Sequence, residues 1–238
     1  MPTRAVLFDL DDTLFDHRGA ARTALMDVHQ RHVPGVAFAA FEQQHMHHLE
    51  VLHLDVLAGR ISIDDARRER FRRVFAAVGA TLDEAGADAV ASAYRRAYMD
   101  ARCALEGAIA LLDAVRPHAR IGIVSNNLIE EQREKLHFCG LAPLIDALIV
   151  SEEAGISKPD PRIFHIALER LGVGPDEAVM FGDSWTADIV GAARAGLRRV
   201  WFNPRHLTKP ADPADVEEVF SLTPAEPVAR LLLGEAAR

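Results

Sequence analysis

The chain has 238 residues, of which 49% are hydrophobic and 26% charged, and its formal net charge is −8 at pH 7. This length is more than one average domain and less than two, so we expect one large domain or a core with an insertion. The composition excludes wholesale disorder, the negative charge disfavours nucleic acid as a partner, and no apolar run reaches the ~18–20 residues that cross a membrane.

The first element predicted from the sequence is a short buried strand over residues 4–10, an apolar run that ends in acidic residues. From residue 16 to 102 the apolar residues follow a helical period, with breaks at Gly59 and Gly79. Four helices are predicted in this segment, at 18–32, 37–58, 62–78 and 82–102. We therefore expect an all-helical domain inserted after the first strand.

After Gly107, short apolar runs alternate with helical stretches, an alternation typical of right-handed βαβ units and a parallel sheet. Strands are predicted at 121–124, 147–150, 178–181 and 199–202, with a last one near Val219. The predicted fold is α/β, with an open, parallel, Rossmann-like sheet as the core and an inserted all-helical cap. We place the core at residues 1–15 and 103–238 and the cap at 16–102.

The two cysteines, Cys103 and Cys139, are far apart in sequence and form no C-x-x-C pair. The first residues lead directly into a strand followed by acidic residues, which is unlike a signal peptide. We therefore expect reduced thiols, a cytoplasmic location and no association with a membrane.

Acidic residues follow two of the predicted strands, at the edge where an open parallel sheet binds its ligands. Asp9 and Asp11 project to the same side of an extended chain, and Asp183 follows another strand. Close carboxylates repel one another, and a hard cation such as Mg2+ would relieve that repulsion. The sequence therefore predicts an acidic cage for a cation. The alternative is that Asp11 and Asp12 only begin a turn, an interpretation that we keep for Asp12.

Ser125 and Lys158 are the candidate contacts for an anion. Ser125 ends a strand before a helix and could offer its hydroxyl and adjacent backbone N–H groups, or it could only cap the helix. Lys158 is one of three lysines among 27 basic residues and precedes a helix that starts with proline. Its compact charge suits a phosphoryl oxygen or a partner carboxylate, and the alternative is a solvated surface lysine.

The segment from Gly182 to Asp188 places two acidic residues across a predicted strand-to-helix turn. Asp183 would be a metal ligand in the acidic cage. Asp188 could hold Lys158 or a metal-bound water, or it could only complement the dipole of the following helix.

Four motifs occur in order along the chain and together resemble those of the haloacid dehalogenase-like hydrolase superfamily. They are Asp9-x-Asp11-x-Thr13, Ser125 after an apolar strand, Lys158-Pro159, and Gly182-Asp183 with Asp188. The helical insertion after the first strand resembles the subfamily with a helical cap. The segments 8–14, 150–155 and 158–164 are most similar to pyrimidine 5′-nucleotidases and N-acylneuraminate-9-phosphatases, and phosphoglycolate phosphatases are also similar.

The resemblance implies Mg2+-dependent hydrolysis of a small phosphate monoester, such as a nucleoside 5′-monophosphate or a sugar phosphate, through an aspartyl-phosphate. It implies that Asp9 attacks phosphorus, and that Asp11 protonates the leaving group and then activates water. The implied metal ligands are Asp9, the backbone carbonyl of Asp11, and Asp183. The implied phosphate contacts are Ser125, Asn126 and Lys158, supported by Thr13 and Asp188. The expected partner is a small phosphorylated metabolite, and the expected assembly is a monomer or a homodimer.

Other classes stay open on the sequence alone. Dehalogenases of the same fold keep the first aspartate but, as the resemblance has it, lack the acid two residues later, so Asp11 and Thr13 favour a phosphatase. Phosphomutases of this fold share all four motifs. A response-regulator receiver domain also combines acidic residues, a hydroxyl and Lys-Pro, but it would be half this length and would lack the helical insertion.

Two groups of residues in the helical segment suggest further functions. The histidines are His45, His47, His48 and His53. They could suggest a metal, but zinc requires a matched set of ligands, so we interpret them as polar cap residues. The arginine-rich run 67–73 has acidic partners at helical spacing and an apolar stripe beginning at Phe71. We interpret this run as a solvated helix face and not as a nucleic-acid-binding patch.

Overall fold

The computed structural model describes residues 3–211 and 216–234, so the remaining positions of the predicted core lie outside the described residues. The chain divides into two compact units. One is a helical unit, His17–Arg102, and the other is a core unit made of the residues on either side of it. Within the described residues, no helix combines the length and apolarity needed to cross a membrane.

The helical unit consists of four α-helices. They are α1 (His17–His32), α2 (Phe38–Leu57), α3 (Ile63–Ala77) and α4 (Glu84–Asp100). Ser62 and Asp83 cap α3 and α4, because each side chain accepts a hydrogen bond from a backbone N–H three residues further on. The rings of Phe41 and Phe75, whose centroids are 5.6 Å apart, are buried between α2 and α3. All four stretches predicted as helices are helical.

The core unit is built on a six-stranded sheet. Its strands are β1 (Ala5–Phe8), β2 (Arg120–Ser125), β3 (Ala147–Val150), β4 (Ala178–Gly182), β5 (Arg198–Phe202) and β6 (Glu217–Val219). Their spatial order is β3-β2-β1-β4-β5-β6, and every neighbouring pair is parallel. The fully buried β1 lies between β2 and β4, so the residues that follow it enter the middle of the carboxyl edge. This sheet confirms the predicted open parallel α/β core.

The described part of the core unit contains six α-helices. They are α5 (Ala108–Val115), α6 (Ile129–Phe138), α7 (Ser151–Ala154), α8 (Pro161–Leu171), α9 (Gly191–Arg194) and α10 (Ala225–Leu233). The apolar face of α8, which includes Phe164 and Leu168, packs among buried residues of the sheet because its apolar residues recur three and four apart. Two details differ from the prediction. The short α7 directly follows β3, and residues Trp185–Val190 form a π-helical turn in place of a regular helical start.

Candidate active site

The carboxyl edge of the sheet brings several predicted residues together. Asp9 follows β1, Ser125 ends β2, and Asp183 follows β4. Lys158 comes from the loop before α8 and contacts the residue after β1. The side chains of Asp9, Ser125 and Lys158 are buried, although each is polar. Such burial requires that their hydrogen-bonding groups find partners inside the site.

Lys158 is the central cation of this site. Its Nζ donates hydrogen bonds to Oδ1 of Asp9 at 2.6 Å, Oδ1 of Asp188 at 2.7 Å and the backbone carbonyl of Val124 at 2.7 Å. Burial by itself would disfavour the ammonium, but the charges of Asp188 and Asp9 outweigh that effect and raise the pKa of Lys158 above its usual value. The lysine is therefore a permanent positive charge beside the Asp9 carboxylate, and the alternative of a solvated surface lysine does not apply.

Asp9 is held from both of its oxygens. Oδ1 accepts from Lys158, and Oδ2 accepts a 3.3 Å hydrogen bond from the hydroxyl of Thr13. Burial raises the pKa of Asp9 to about 7, with Lys158 opposing the shift and Asp188 adding to it. Thr13 Oγ1 also accepts a 3.1 Å bond from the backbone N–H of Asp183. The threonine thus ties the loop after β1 to the loop after β4.

Asp188 is completely buried and holds Lys158 in place. Its Oδ1 accepts from Lys158, and its Oδ2 accepts a 2.9 Å bond from the backbone N–H of Ser184. Asp188 lies on the π-helical turn, Trp185–Val190, which follows β4. A Cβ atom at Gly182 would lie 2.3 Å from Oδ2 of Asp188, so only glycine leaves room for the carboxylate. Of the three roles considered for Asp188, the geometry fits the one that holds Lys158.

The negative charge of Asp183 is balanced less by nearby cations than that of Asp188. The side chain of Asp183 is 13% exposed, and Nη2 of Arg205 lies 3.4 Å from its Oδ2. Burial, together with the charges of Asp9 and Asp188, raises the pKa of Asp183 to about 8, and Arg205 opposes this shift. The indole N–H of Trp201 donates to the backbone carbonyl of Asp183 at 2.9 Å and fixes the loop.

The carboxylate of Asp11 has a separate set of partners. Its Oδ1 accepts from Nζ of Lys135 at 2.6 Å. Its Oδ2 accepts from the side-chain amides of Gln132 at 2.9 Å and Asn127 at 3.1 Å. Lys135 and Gln132 are both buried on α6, so they hold the carboxylate against the helix that follows β2. Asp11 is therefore anchored apart from the Lys158 cluster.

Ser125 is connected to the same anchor. Its hydroxyl oxygen accepts a 2.5 Å hydrogen bond from Nε2 of Gln132, the atom that also contacts Asp11. One amide group therefore links the serine that ends β2 to the carboxylate that follows β1. Asn126, also predicted to contact phosphate, uses its side chain differently. Its amide nitrogen donates to the backbone carbonyl of Lys158 at 2.9 Å, and its amide oxygen accepts from the Lys158 N–H at 2.8 Å.

Lys135, Gln132 and Asn127 belong to this site, although the sequence analysis did not identify them. A signal was present for two of them. Lysine is rare in this chain, and positions 132 and 135 are three apart on the helix that follows Ser125, so they share one face of it. The sequence analysis used the rarity of lysine as an argument for Lys158 only.

The balance of charges in the site favours the binding of a cation at one place. Asp188 is compensated by Lys158, and Asp11 is compensated by Lys135. The pKa values of Asp9 and Asp183 are raised, because burial and the charges of neighbouring acids outweigh the effects of Lys158 and Arg205. Oxygens of Asp9, Asp183 and Asp188 lie within 4.8 Å of one another, and this is the only such group of three metal-ligating residues among those described. Hard oxygen donors with excess negative charge fit a divalent cation of the Mg2+ type.

Comparisons with known proteins point in one direction. The sequence pattern of haloacid dehalogenase-like hydrolases matches residues 3–196. The pyrimidine 5′-nucleotidase YjjG of Escherichia coli is 41% identical over 120 residues, which are 50% of this chain and 53% of that protein. The pyrimidine 5′-nucleotidase PynA of Streptococcus pneumoniae is 30% identical over 91% of this chain and 90% of its own length. The chain thus matches about half of the first relative and nearly all of the second.

A solved structure supports the same assignment. The magnesium-bound HAD hydrolase YfnB of Bacillus subtilis is 26% identical, with a TM-score of 0.74 over 96% of this chain and 99% of that one. The similarity therefore includes both the sheet with its site and the helical unit.

Proposed function

Since the chain belongs to the haloacid dehalogenase-like hydrolases, we propose that it hydrolyses small phosphate monoesters through a phosphorylated Asp9. The observation that carries this proposal is the separate anchoring of two carboxylates. Asp9 contacts Lys158 and Thr13, whereas Asp11 contacts Lys135 on α6. One carboxylate can therefore act as a nucleophile while the other exchanges protons.

In the first step an oxygen of Asp9 attacks phosphorus, and the bond between phosphorus and the ester oxygen breaks. Protonated Asp11 donates its proton to the departing alkoxide. Lys158 and the hydroxyl of Ser125 stabilise the negative charge on the transferring phosphoryl oxygens. Asn126 contributes by fixing the backbone of Lys158, and Asp188 by fixing its ammonium.

In the second step the Asp11 carboxylate takes a proton from water, and the water oxygen attacks the phosphorus carried by Asp9. The acyl phosphate bond breaks, inorganic phosphate leaves, and Asp9 is regenerated. The balance is one ester and one water consumed, and one alcohol and one phosphate released. Lys135 and Gln132 keep Asp11 in position for both proton transfers.

Magnesium is part of this proposal. The carboxylates of Asp9 and Asp183, together with the backbone carbonyl of Asp11, would hold the ion. Its support is the close grouping of oxygens from Asp9, Asp183 and Asp188, the raised pKa values of Asp9 and Asp183, and the magnesium-bound state of YfnB. When bound, Mg2+ supplies positive charge that offsets the repulsion between the phosphate and the nucleophile.

The substrate class is proposed from the relatives. YjjG and PynA are named pyrimidine 5′-nucleotidases, so pyrimidine nucleoside 5′-monophosphates are the first substrates that we propose. Sugar phosphates are the next class. We also propose that the helical unit, residues 16–102 in the sequence prediction, is the cap domain of the family and that the protein works in the cytoplasm.

The proposal is tested by hydrolysis of p-nitrophenyl phosphate with Mg2+ and with EDTA, for the wild type and for Asp9→Asn. We expect activity only in the wild type with Mg2+, and a mass increase of one phosphoryl group on Asp9 after rapid quenching. Asp113→Asn is the matched control, because it makes the same change at an exposed acid on α5 and should keep full activity.

The same experiment separates the alternatives. Full activity of Asp9→Asn would contradict the covalent mechanism. Release of halide from a 2-haloacid without phosphatase activity would indicate a dehalogenase, and a rearranged sugar phosphate without free phosphate would indicate a mutase. A panel of pyrimidine and purine nucleoside 5′-monophosphates then tests the substrate class.

A further inference from the structure

Arg70 is a buried cation without a partner. It lies on α3 with 8% of its surface exposed. Within the described residues, Arg70 forms no ion pair with a carboxylate, and its Nε atom is buried without a hydrogen-bond partner. Burying an unpaired charge is among the most costly arrangements in a folded protein. The position of Arg70 therefore requires an explanation other than stability.

The other arginines of the same helix behave as the sequence predicts. Four of them form ion pairs with acids on their own helix: Arg67 with Asp64, Arg68 with Asp65, and Arg72 and Arg73 with Glu69. The interpretation of run 67–73 as a solvated face holds for these four and is wrong for Arg70. Arg70 lies on the buried side of α3 beside Phe71 and Val74.

Two aromatic rings contact the guanidinium of Arg70. Its Cζ lies 4.9 Å from the ring centroid of Tyr94 and 5.2 Å from that of Phe71. These cation–π contacts stabilise the charge in part and do not use the N–H donors of the guanidinium.

His45 adds a second unpartnered group to the same place. Its ring centroid lies 5.1 Å from Tyr94 and 5.7 Å from Phe71, and its Nε2 atom is buried without a partner. Burial and the charge of Arg70 hold the pKa of His45 well below its ordinary value, so the ring is neutral and offers one N–H. Both groups come from different helices, α2 and α3, so the fold of the helical unit brings them together.

We propose that Arg70 and His45 form an oxyanion site in the helical unit, which takes the carboxylate or phosphate group of a small molecule. A guanidinium edge can donate two parallel N–H bonds to such a group, and a neutral imidazole can donate a third. A metal ion does not suit this site, because the fixed charge of Arg70 would repel it. The sequence analysis interpreted the cap histidines only as polar cap residues, whereas this proposal assigns a specific role to His45.

The oxyanion is that of a separate ligand of the helical unit, and one measurement tests for it. The test does not depend on catalysis or on the proposed function. Thermal unfolding of the full chain is followed in EDTA with and without malonate, at constant ionic strength. If the site takes such an anion, malonate raises the unfolding midpoint of the wild type and has no effect on Arg70→Met. Without malonate, Arg70→Met itself should unfold about 2–4 °C above the wild type, because it removes an unpaired buried charge of similar shape.

Arg73→Met is the matched control, since it removes an arginine from the same helix that is paired with Glu69 and partly exposed. Arg70→Lys keeps the charge but loses the planar fork, and it serves if the methionine variant folds poorly. A rise of the unfolding midpoint with malonate that is lost in the Arg70 variants and kept in Arg73→Met supports the site. Equal behaviour of wild type and Arg70 variants with malonate overturns it, whatever the phosphatase activity of the chain.

Discussion

Nζ of Lys135 lies 2.6 Å from Oδ1 of Asp11, and the lysine side chain is 4% exposed whereas the carboxylate is 23% exposed. The acid is thus held from its buried side and accessible from the other. The side-chain amides of Gln132 and Asn127 donate to its second oxygen. Such an anchor lets Asp11 give and take protons while its position stays constant.

Lys135→Met should therefore lower kcat for an alkyl phosphate about 10- to 100-fold, with KM changed by less than about threefold, because Asp11 loses its fixed orientation. Lys135→Arg should recover part of the activity. The measurement is steady-state kinetics beside Lys209→Met, which replaces another lysine of the core unit, bonded to the backbone carbonyl of Val216. An unchanged kcat in Lys135→Met would remove Lys135 from the mechanism.

Asp11→Asn should separate the two proposed steps. With p-nitrophenyl phosphate the leaving group needs no proton, so the variant should release about one equivalent of nitrophenolate per enzyme in a burst and then stall. With an alkyl phosphate the same variant should show no burst, since the first step then requires an acid. Stopped-flow absorbance measures this, and Asp9→Asn should give no burst with either substrate. Steady turnover by Asp11→Asn at the wild-type rate would contradict the role of Asp11.

Gly182→Ala should damage both activity and stability. The added Cβ would lie 2.3 Å from Oδ2 of Asp188, so the carboxylate must move and Lys158 loses one of its two acidic partners. We expect a loss of about 1–3 kcal/mol in the free energy of unfolding and more than about tenfold in kcat. Urea unfolding and kinetics are compared with Gly174→Ala, where the new Cβ would be 3.7 Å from the nearest atom, Oε2 of Glu177. Equal stability of the two variants would show that the room at Gly182 is not needed.

Asp183→Asn should weaken the binding of Mg2+ at least about tenfold, since it removes one of the two carboxylates that would hold the ion in the proposed metal site. Isothermal titration calorimetry of Mg2+ into the substrate-free protein measures this without reference to activity. Asp113→Asn, the exposed acid on α5, should bind as the wild type does. Absence of any Mg2+ binding by the wild type, together with full activity in EDTA, would contradict the metal proposal.

Much of this architecture can be predicted from the sequence because it depends on short-range patterns. Apolar runs of four to six residues and the helical period decide which segments become strands and helices, independently of the elements that pack against them in the fold. Parallel strands then place their carboxyl ends at one edge of the sheet. The sequence alone therefore predicts that Asp9, Ser125 and Asp183 lie close together. The resemblance of the four motifs supplied their implied roles.

The partners of each polar group were decided only by the tertiary structure. Lys135 is 124 positions from Asp11, and their contact depends on how α6 is rotated against the end of β2. Two positions along the helix, about half a turn, separate the buried Arg70 from the more exposed Arg68 and Arg72 on α3. The π-helical turn that carries Asp188 likewise requires the space above Gly182. Local pattern therefore determined which elements form and where the acids lie, whereas packing determined which charge compensates which.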